Sequence, residues 1–228
     1  MSLILPPLKK VYVDNPVFTL DAPELELSGT GYTCVIGRNG SGKSSYGEAL
    51  ASHKPISENN HWYYLPQYLE RFLFAENILE QLTDLLGQSV NHTELEQLLQ
   101  ELGFTDPTQM INFPFILMSG GERRRMALAT VSYLKPKQII LDEPEIGITA
   151  KENMVLLAKL NNLQAVSAKV ILISHNFEFV KRSSDLICLE NGRVAKAGST
   201  QDLMADPDFN PKDYGVRFQQ EMDKAGLE

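Results

Sequence analysis

Tyr32-Thr33-Cys34-Val35-Ile36-Gly37-Arg38-Asn39-Gly40-Ser41-Gly42-Lys43-Ser44 carries most of the fold information in this chain. The first five residues form a short β-type run, a glycine-rich loop follows, and Ser44 to Ala51 reads as the start of a helix. Glycines in such a loop let the chain turn so that several backbone N–H groups point inward at a polyphosphate. The helix N-terminus adds partial positive charge there. Lys43 is placed to reach the β and γ phosphates, and Ser44 offers a hydroxyl to Mg²⁺. Gly37, Asn39, Gly40, Ser41, Gly42, Lys43, Ser44 and Ser45 are therefore the candidate phosphate-binding residues. A flexible surface turn is the competing reading, and the strand–loop–helix context weighs against it.

Working outward, Gln138 to Leu141 and Lys169 to Ile173 are β-branched, nearly all-apolar runs, as expected for strands buried on both faces. Helical patterns over Glu122 to Leu134 and Ala150 to Leu163 separate them. That alternation predicts an α/β phosphate-loop core, with a mainly parallel sheet and helices on both sides. Asp185 to Glu190, Asn191-Gly192 and Arg193 to Lys196 read as a hairpin with Asn-Gly at its turn. From Tyr68 to Gln109 the pattern becomes Leu- and Gln-rich helix, over Glu76 to Leu86 and Thr93 to Leu102. Gly103 ends the second helix and Pro107 follows. The expected organisation is one domain over 1–228. Residues 1–67 and 119–228 form its core, and 68–118 form a small inserted helical subdomain.

The net charge of −8 argues against broad nucleic-acid binding, which needs a basic face, so no nucleic-acid partner is expected. Two cysteines, Cys34 and Cys188, imply no disulfide framework and fit a reducing compartment. Leu3-Ile4-Leu5 is too short for a secretory core, and no run approaches the ~18 apolar residues that span a bilayer. Action at a membrane would need a partner.

Gln138-Ile139-Ile140-Leu141-Asp142-Glu143-Pro144 is an apolar strand ending in two carboxylates, at the sheet edge where ligands bind in such folds. Asp142 would complete a Mg²⁺ shell, and Glu143 is placed to orient or deprotonate an attacking water. Ser119, in Met118-Ser119-Gly120-Gly121-Glu122, can cap a helix whose first amides the two glycines expose. That makes a second anion site. Taken alone this is a routine helix start. Yet one nucleotide does not need two such sites on one chain, whereas two chains facing head to tail do.

Together these motifs resemble the ATP-binding-cassette (ABC) ATPase family. Its signature, usually Leu-Ser-Gly-Gly-Gln, stands here as Met118 to Glu122. Tyr64-Leu65-Pro66-Gln67 resembles the Q-loop, Asp142-Glu143-Pro144 the Walker B end and Ile173-Ser174-His175 the switch histidine. Asn191-Gly192-Arg193 and Ala197-Gly198-Ser199 resemble the closing hairpin. The likeness covers about residues 8 to 205. It implies ATP and Mg²⁺ as ligands. Lys43 and Ser44 would bind phosphate and metal, and Gln67 would contact the metal or attacking water. Glu143 would be the general base, and His175 would contact the γ-phosphate. Ser119, Gly120 and Gly121 would clamp a nucleotide held by a second ABC domain, in a homo- or heterodimer. Tyr12 is the candidate for stacking on adenine, with Phe18 as the alternative.

The resemblance further implies an ATPase coupled to transport, cytoplasmic and held on the inner membrane face by a separate transmembrane permease subunit. Local phrasing such as Gly120 to Ala129 is most similar to the cobalt and energy-coupling-factor importer branch. A soluble ABC ATPase serving a cytosolic machine is the alternative. Three departures stand out. Ser45 to Gln67 is short, so the antiparallel β lobe is expected to be trimmed there. Thr149 occupies the place of a usual Asp, and Glu122 replaces the usual Gln. Arg123 to Arg125 reads as a solvated helix face rather than a phosphate patch. Tyr68 to Phe74 fits either a groove for a partner's helix or the lobe's own core.

Overall fold

The computed structural model describes residues 2–12, 15–53, 61–146, 158 and 169–218. Its strands are β1 (Leu3–Leu5), β2 (Leu8–Tyr12), β3 (Asn15–Ala22), β4 (Leu25–Leu27) and β5 (Thr33–Ile36). They continue with β6 (Tyr63–Leu65), β7 (Gln138–Asp142), β8 (Lys169–Ile173), β9 (Asp185–Glu190) and β10 (Arg193–Ser199). Eight of them form one sheet in the order β2-β3-β10-β9-β5-β8-β7-β6, while β1 and β4 pair separately. The run from β9 through β5, β8 and β7 to β6 is parallel throughout. That is the expected core.

The parallel strands read as apolar runs because each has two covered faces. Cys34, Ile36, Leu65, Ile139, Leu141, Val170 and Leu172 point into one hydrophobic cluster. Val35, Ile140, Ile171 and Ile173 point into another. This is the period-two alternation of a pleated strand. Helix α1 (Lys43–Ser52) closes the second face through Tyr46 and Leu50. The first face lies under α5 (Gly120–Leu134), with α2 (Ile78–Leu86), α3 (His92–Glu101) and the short α4 (Pro107–Met110) beyond it.

The helical insertion shares its core with the sheet. Ile78, Leu82, Leu95 and Leu99 are fully buried in the same cluster as Leu65, Ile139 and Met126. Its helices begin where asparagine caps them: Asn77 accepts from Glu80 N at 3.0 Å and Asn91 from Glu94 N at 3.3 Å. The starts therefore fall at Ile78 and His92, not Glu76 and Thr93. Gly103, with φ 86°, lies just past the end of α3, as expected.

The antiparallel strands come from the N-terminal residues: β2 pairs with β3, and β3 joins the β9–β10 hairpin through a parallel contact at Asp21 and Arg193. Between Ser45 and Gln67 the one described strand is β6, which is parallel to β7. The helix expected over Ala150 to Leu163 and the departure at Thr149 lie outside the described residues.

Candidate active site

Parallel order explains why distant motifs meet. β5, β8, β7 and β6 are successive neighbours, so the segments leaving their C-terminal ends emerge side by side. These are the glycine loop, Ser174-His175, Asp142-Glu143 and Gln67.

The loop folds around its own lysine. Lys43 Nζ donates to Gly37 O at 2.9 Å and to Arg38 O at 3.3 Å, and Lys43 is 6% exposed. Burial depresses its ammonium below the ordinary range, opposed by the charges of Glu143 and Asp142. Gly42 precedes α1 with φ 102°, a backbone that L side chains rarely adopt, and an added Cβ would lie 2.6 Å from Phe18 Cζ. No side chain caps α1, so its first amides remain for an external acceptor. A cavity of about 380 Å³ opens here, lined by Tyr12, Phe18, Gly40, Gly42, Lys43, Ser44 and Ser45. Tyr12 and Phe18 pack at 5.6 Å between ring centroids, so both candidate aromatics belong to one wall.

Asp142 is buried at the end of β7. Tyr64, leaving β6 on the same face, donates its phenol O–H to Asp142 Oδ2 at 2.7 Å, and Oδ1 has no protein partner. Burial pushes the Asp142 carboxyl above its ordinary range, with hydrogen bonds from Tyr64 and Ser44 opposing it. Tyr64 itself is held as a neutral donor, because burial and then Asp142 push its phenol up. No motif gives this tyrosine a role, although it sits in the Q-loop strand.

Glu143 takes the left-handed conformation, φ 46°, rare for a residue with a side chain, and its N–H is pinned to Ile173 O at 2.9 Å. Its two carboxylate oxygens divide between two partners. Gln67 Nε2 donates to Oε2 at 3.0 Å, and His175 Nε2 lies 3.2 Å from Oε1. The hydrogen bond and charge of His175 hold the Glu143 carboxyl below its ordinary range, against burial. The acid therefore stays ionised and ready to accept. Gln67, Glu143 and His175 form one connected cluster.

Ser119, Gly120 and Gly121 sit elsewhere and line neither this cavity nor the one beside Gln67. Ser119 caps α5, its Oγ accepting from Glu122 N at 3.3 Å, while Ser119 N donates to Glu122 Oε2 at 2.8 Å. Glu122 thus completes a capping box, a concrete use for the residue found in place of Gln. A Cβ added at Gly120 would meet nothing within 4 Å, so the chain's own packing does not require that glycine.

The arginine run behaves differently from expectation. Arg124 is 5% exposed and donates to Pro66 O at 3.2 Å and Gln67 O at 2.6 Å. Arg125 lies over the Phe104 ring at 4.9 Å. Successive helical residues point about 100° apart, so three in a row cannot share one solvated face. The Tyr68–Phe74 stretch divides: Tyr68 (73%) and Phe74 (55%) are exposed, while Leu69, Phe72 and Leu73 pack on the core. A second buried acid also appears. Glu145 accepts from Ser174 Oγ, which in turn accepts from Asn176 N at 3.0 Å.

A sheet that delivers a phosphate loop, an acid pair and an imidazole to a single edge places the chain among the phosphate-loop nucleotide hydrolases. The family model described as ABC transporter matches residues 20–145, more than half of the chain. The chain belongs to that family. It is 27% identical, across 86% of its length, to the energy-coupling factor transporter ATP-binding protein EcfA2 of Lactobacillus gasseri, of which it covers 79%. It is also 27% identical to the molybdenum import ATP-binding protein ModC of Bordetella pertussis, matching 84% of this chain but 58% of that relative. Among solved structures, an ATP-binding subunit of an ABC transporter aligns over 100% of this chain and 98% of its own, at TM-score 0.72 and 22% identity. CbiO1 from Clostridium perfringens, part of the transporter complex CbiONQ, aligns over 89% of this chain and 90% of its own, at TM-score 0.66 and 19% identity.

Proposed function

We propose that this chain is the ATP-binding and hydrolysing subunit that energises a membrane ABC transporter, working as one of two cassettes closed head to tail on nucleotide. The connected Gln67–Glu143–His175 cluster beside the phosphate loop carries this reading, together with an open Ser119 helix tip that serves neither cavity of its own chain. In it, Gly37, Asn39, Gly40, Ser41, Gly42, Lys43, Ser44 and Ser45 cradle the polyphosphate, and Tyr12 stacks on the base. Ser119, Gly120 and Gly121 of one cassette grip the γ-phosphate held by the other. The names of the relatives, transporter and import ATP-binding proteins, favour this over a soluble cytosolic machine.

Magnesium fits the residues present: Asp142 Oδ1 is a buried acceptor without a protein partner, and the Ser44 hydroxyl lies in the same cavity wall. Ser44, Asp142 and Gln67 would hold the ion. When bound, it supplies charge neutralisation between the phosphates. Glu143 orients and deprotonates the attacking water, and Gln67 keeps one of its oxygens aimed. His175 Nε2, now beside Glu143, becomes a donor to the γ-phosphate when nucleotide arrives.

Residues 68–118 act as a helical subdomain on the core formed by 1–67 and 119–228. Just past Gln67, the exposed side chains of Tyr68 and Phe74 suit contact with a short helix of a separate permease subunit. Among the described residues no helix is long and apolar enough to cross a membrane. Placement on the cytoplasmic face through that partner follows.

The test is Glu143→Gln. ATP should still bind, turnover should fall by at least about a hundredfold, and gel filtration with ATP should show a trapped dimer. Unchanged hydrolysis removes Glu143 as the base. Failure of nucleotide to bring two cassettes together removes the head-to-tail mechanism.

A further inference from the structure

His175 has a second contact that its motif does not foretell. Its Nδ1 lies 2.9 Å from the carbonyl oxygen of Gly215, 40 residues further along the chain. A carbonyl can only accept, so Nδ1 carries a proton; Nε2 faces the Glu143 carboxylate, also an acceptor, so that contact is a hydrogen bond when Nε2 carries a proton as well.

Gly215 belongs to a compact turn that follows the 3₁₀ segment Pro211–Tyr214, and that turn is tied down on three sides. Arg217 N donates to His175 O at 2.7 Å, and Phe177 N donates to Arg217 O at 3.0 Å, a one-residue parallel bridge against the switch segment. Phe177 and Phe218 stack at 4.1 Å. On the opposite side, Arg38 Nε of the glycine loop donates to Asp213 O at 2.7 Å. Gly215 itself has φ 76°, and a Cβ there would lie 3.2 Å from Arg38 Cα and 3.4 Å from His175 Nδ1. The turn is wedged into the notch between phosphate loop and switch histidine. A side chain there would be strained by the left-handed backbone and would press Arg38 back by a few tenths of an ångström.

We propose that the Asn210–Phe218 turn is a positioning element for ATP hydrolysis, the Gly215 carbonyl accepting from Nδ1–H and fixing the ring plane of His175 so that Nε2–H faces the reacting phosphate. This rests on the role given above to His175. The turn acts through the imidazole. It also spans from Arg38 to His175, so the phosphate loop and the switch share one backbone frame.

The test uses the whole chain labelled with ¹⁵N-histidine, four residues in all, the His175 ring signals being assigned by their loss in His175→Ala. The wild type should show a proton held on Nδ1. Gly215→Ala should shift the Nδ1 signal, speed exchange of its proton and lower kcat about tenfold, with the KM for ATP within about twofold. Arg38→Ala, which frees Asp213 O without forcing a side chain into the notch, should shift the same ring signals to a lesser degree. It serves if Gly215→Ala does not fold. Ring signals unchanged in either folded variant overturn the proposal, as does a kcat loss without a change at Nδ1. Should His175→Ala hydrolyse ATP at the wild-type rate, the catalytic reading of His175 fails instead, and the wild-type ring signals still report whether the carbonyl holds the Nδ1 proton.

Discussion

Glu145 gives a stability prediction with a sign opposite to the usual carboxylate case. It follows the proposed base by two residues, is 9% exposed, and has one oxygen without a partner. Burial pushes its carboxyl up to about 7 from an ordinary 4.5, although the Ser174 hydroxyl donates to it. In the unfolded chain the proton leaves near the ordinary value, whereas in the folded chain it stays until about pH 7. Between those values the native state binds more protons, so stability falls as pH rises through the window. The penalty is complete above pH 7 and absent below about 4.5. At 1.36 kcal/mol per pH unit it amounts to about 3 kcal/mol at most. Glu145→Gln keeps the shape and an acceptor for Ser174 but never ionises. Urea unfolding should find it about 2 kcal/mol more stable than wild type at pH 8 and nearly equal at pH 5. By the usual scaling for a chain of this size, the gain at pH 8 is about 4–8 °C in Tm. A difference that is the same at both pH values would refute the buried-acid reasoning, and so would a less stable variant at pH 8.

Arg124→Met removes the donor to two Q-loop carbonyls while keeping apolar bulk; unfolding should be easier by about 3 kcal/mol, because buried acceptors lose a charged donor. Hydrogen exchange at the amides flanking Gln67 should speed up in the same variant, and an unchanged stability would return Arg124 to the solvated face expected of it. Tyr64→Phe should weaken Mn²⁺ binding to the ATP-loaded protein, read by electron paramagnetic resonance, by roughly fivefold, about the value of one hydrogen bond. ATP affinity without metal should not move; undiminished Mn²⁺ binding would mean that Tyr64 merely fills space.

The phosphate loop was readable because glycine spacing between an apolar run and a helix start admits few other conformations. Glu143 and His175 were readable as members of a family pattern, but their contact was not, since it depends on β8 lying between β5 and β7. That order is a long-range property with no local signal. Arg124 was misjudged for a related reason: three arginines in a row look equivalent until tertiary structure shows which one points inward. Strands β1, β2 and β4 carry little sequence signal because their runs are short and half exposed. The partner of His175 Nδ1 is a backbone carbonyl, which every residue possesses and no motif can mark. Capping asparagines at 77 and 91 were visible signals that would have fixed the helix starts to the residue.

The hairpin turn at Gly192 ties the two ends of the nucleotide cavity together. Its N–H donates to Ser41 O at 2.8 Å inside the glycine loop, and its carbonyl accepts from Asp21 N at 2.8 Å on the strand that carries Phe18. The aromatic wall and the phosphate cradle are therefore bolted to the same hinge pin, so their spacing is a fixed ruler length. In the proposed binding mode a nucleotide is measured as it enters: one whose ring-to-phosphate reach is too short or too long would satisfy either end but not both.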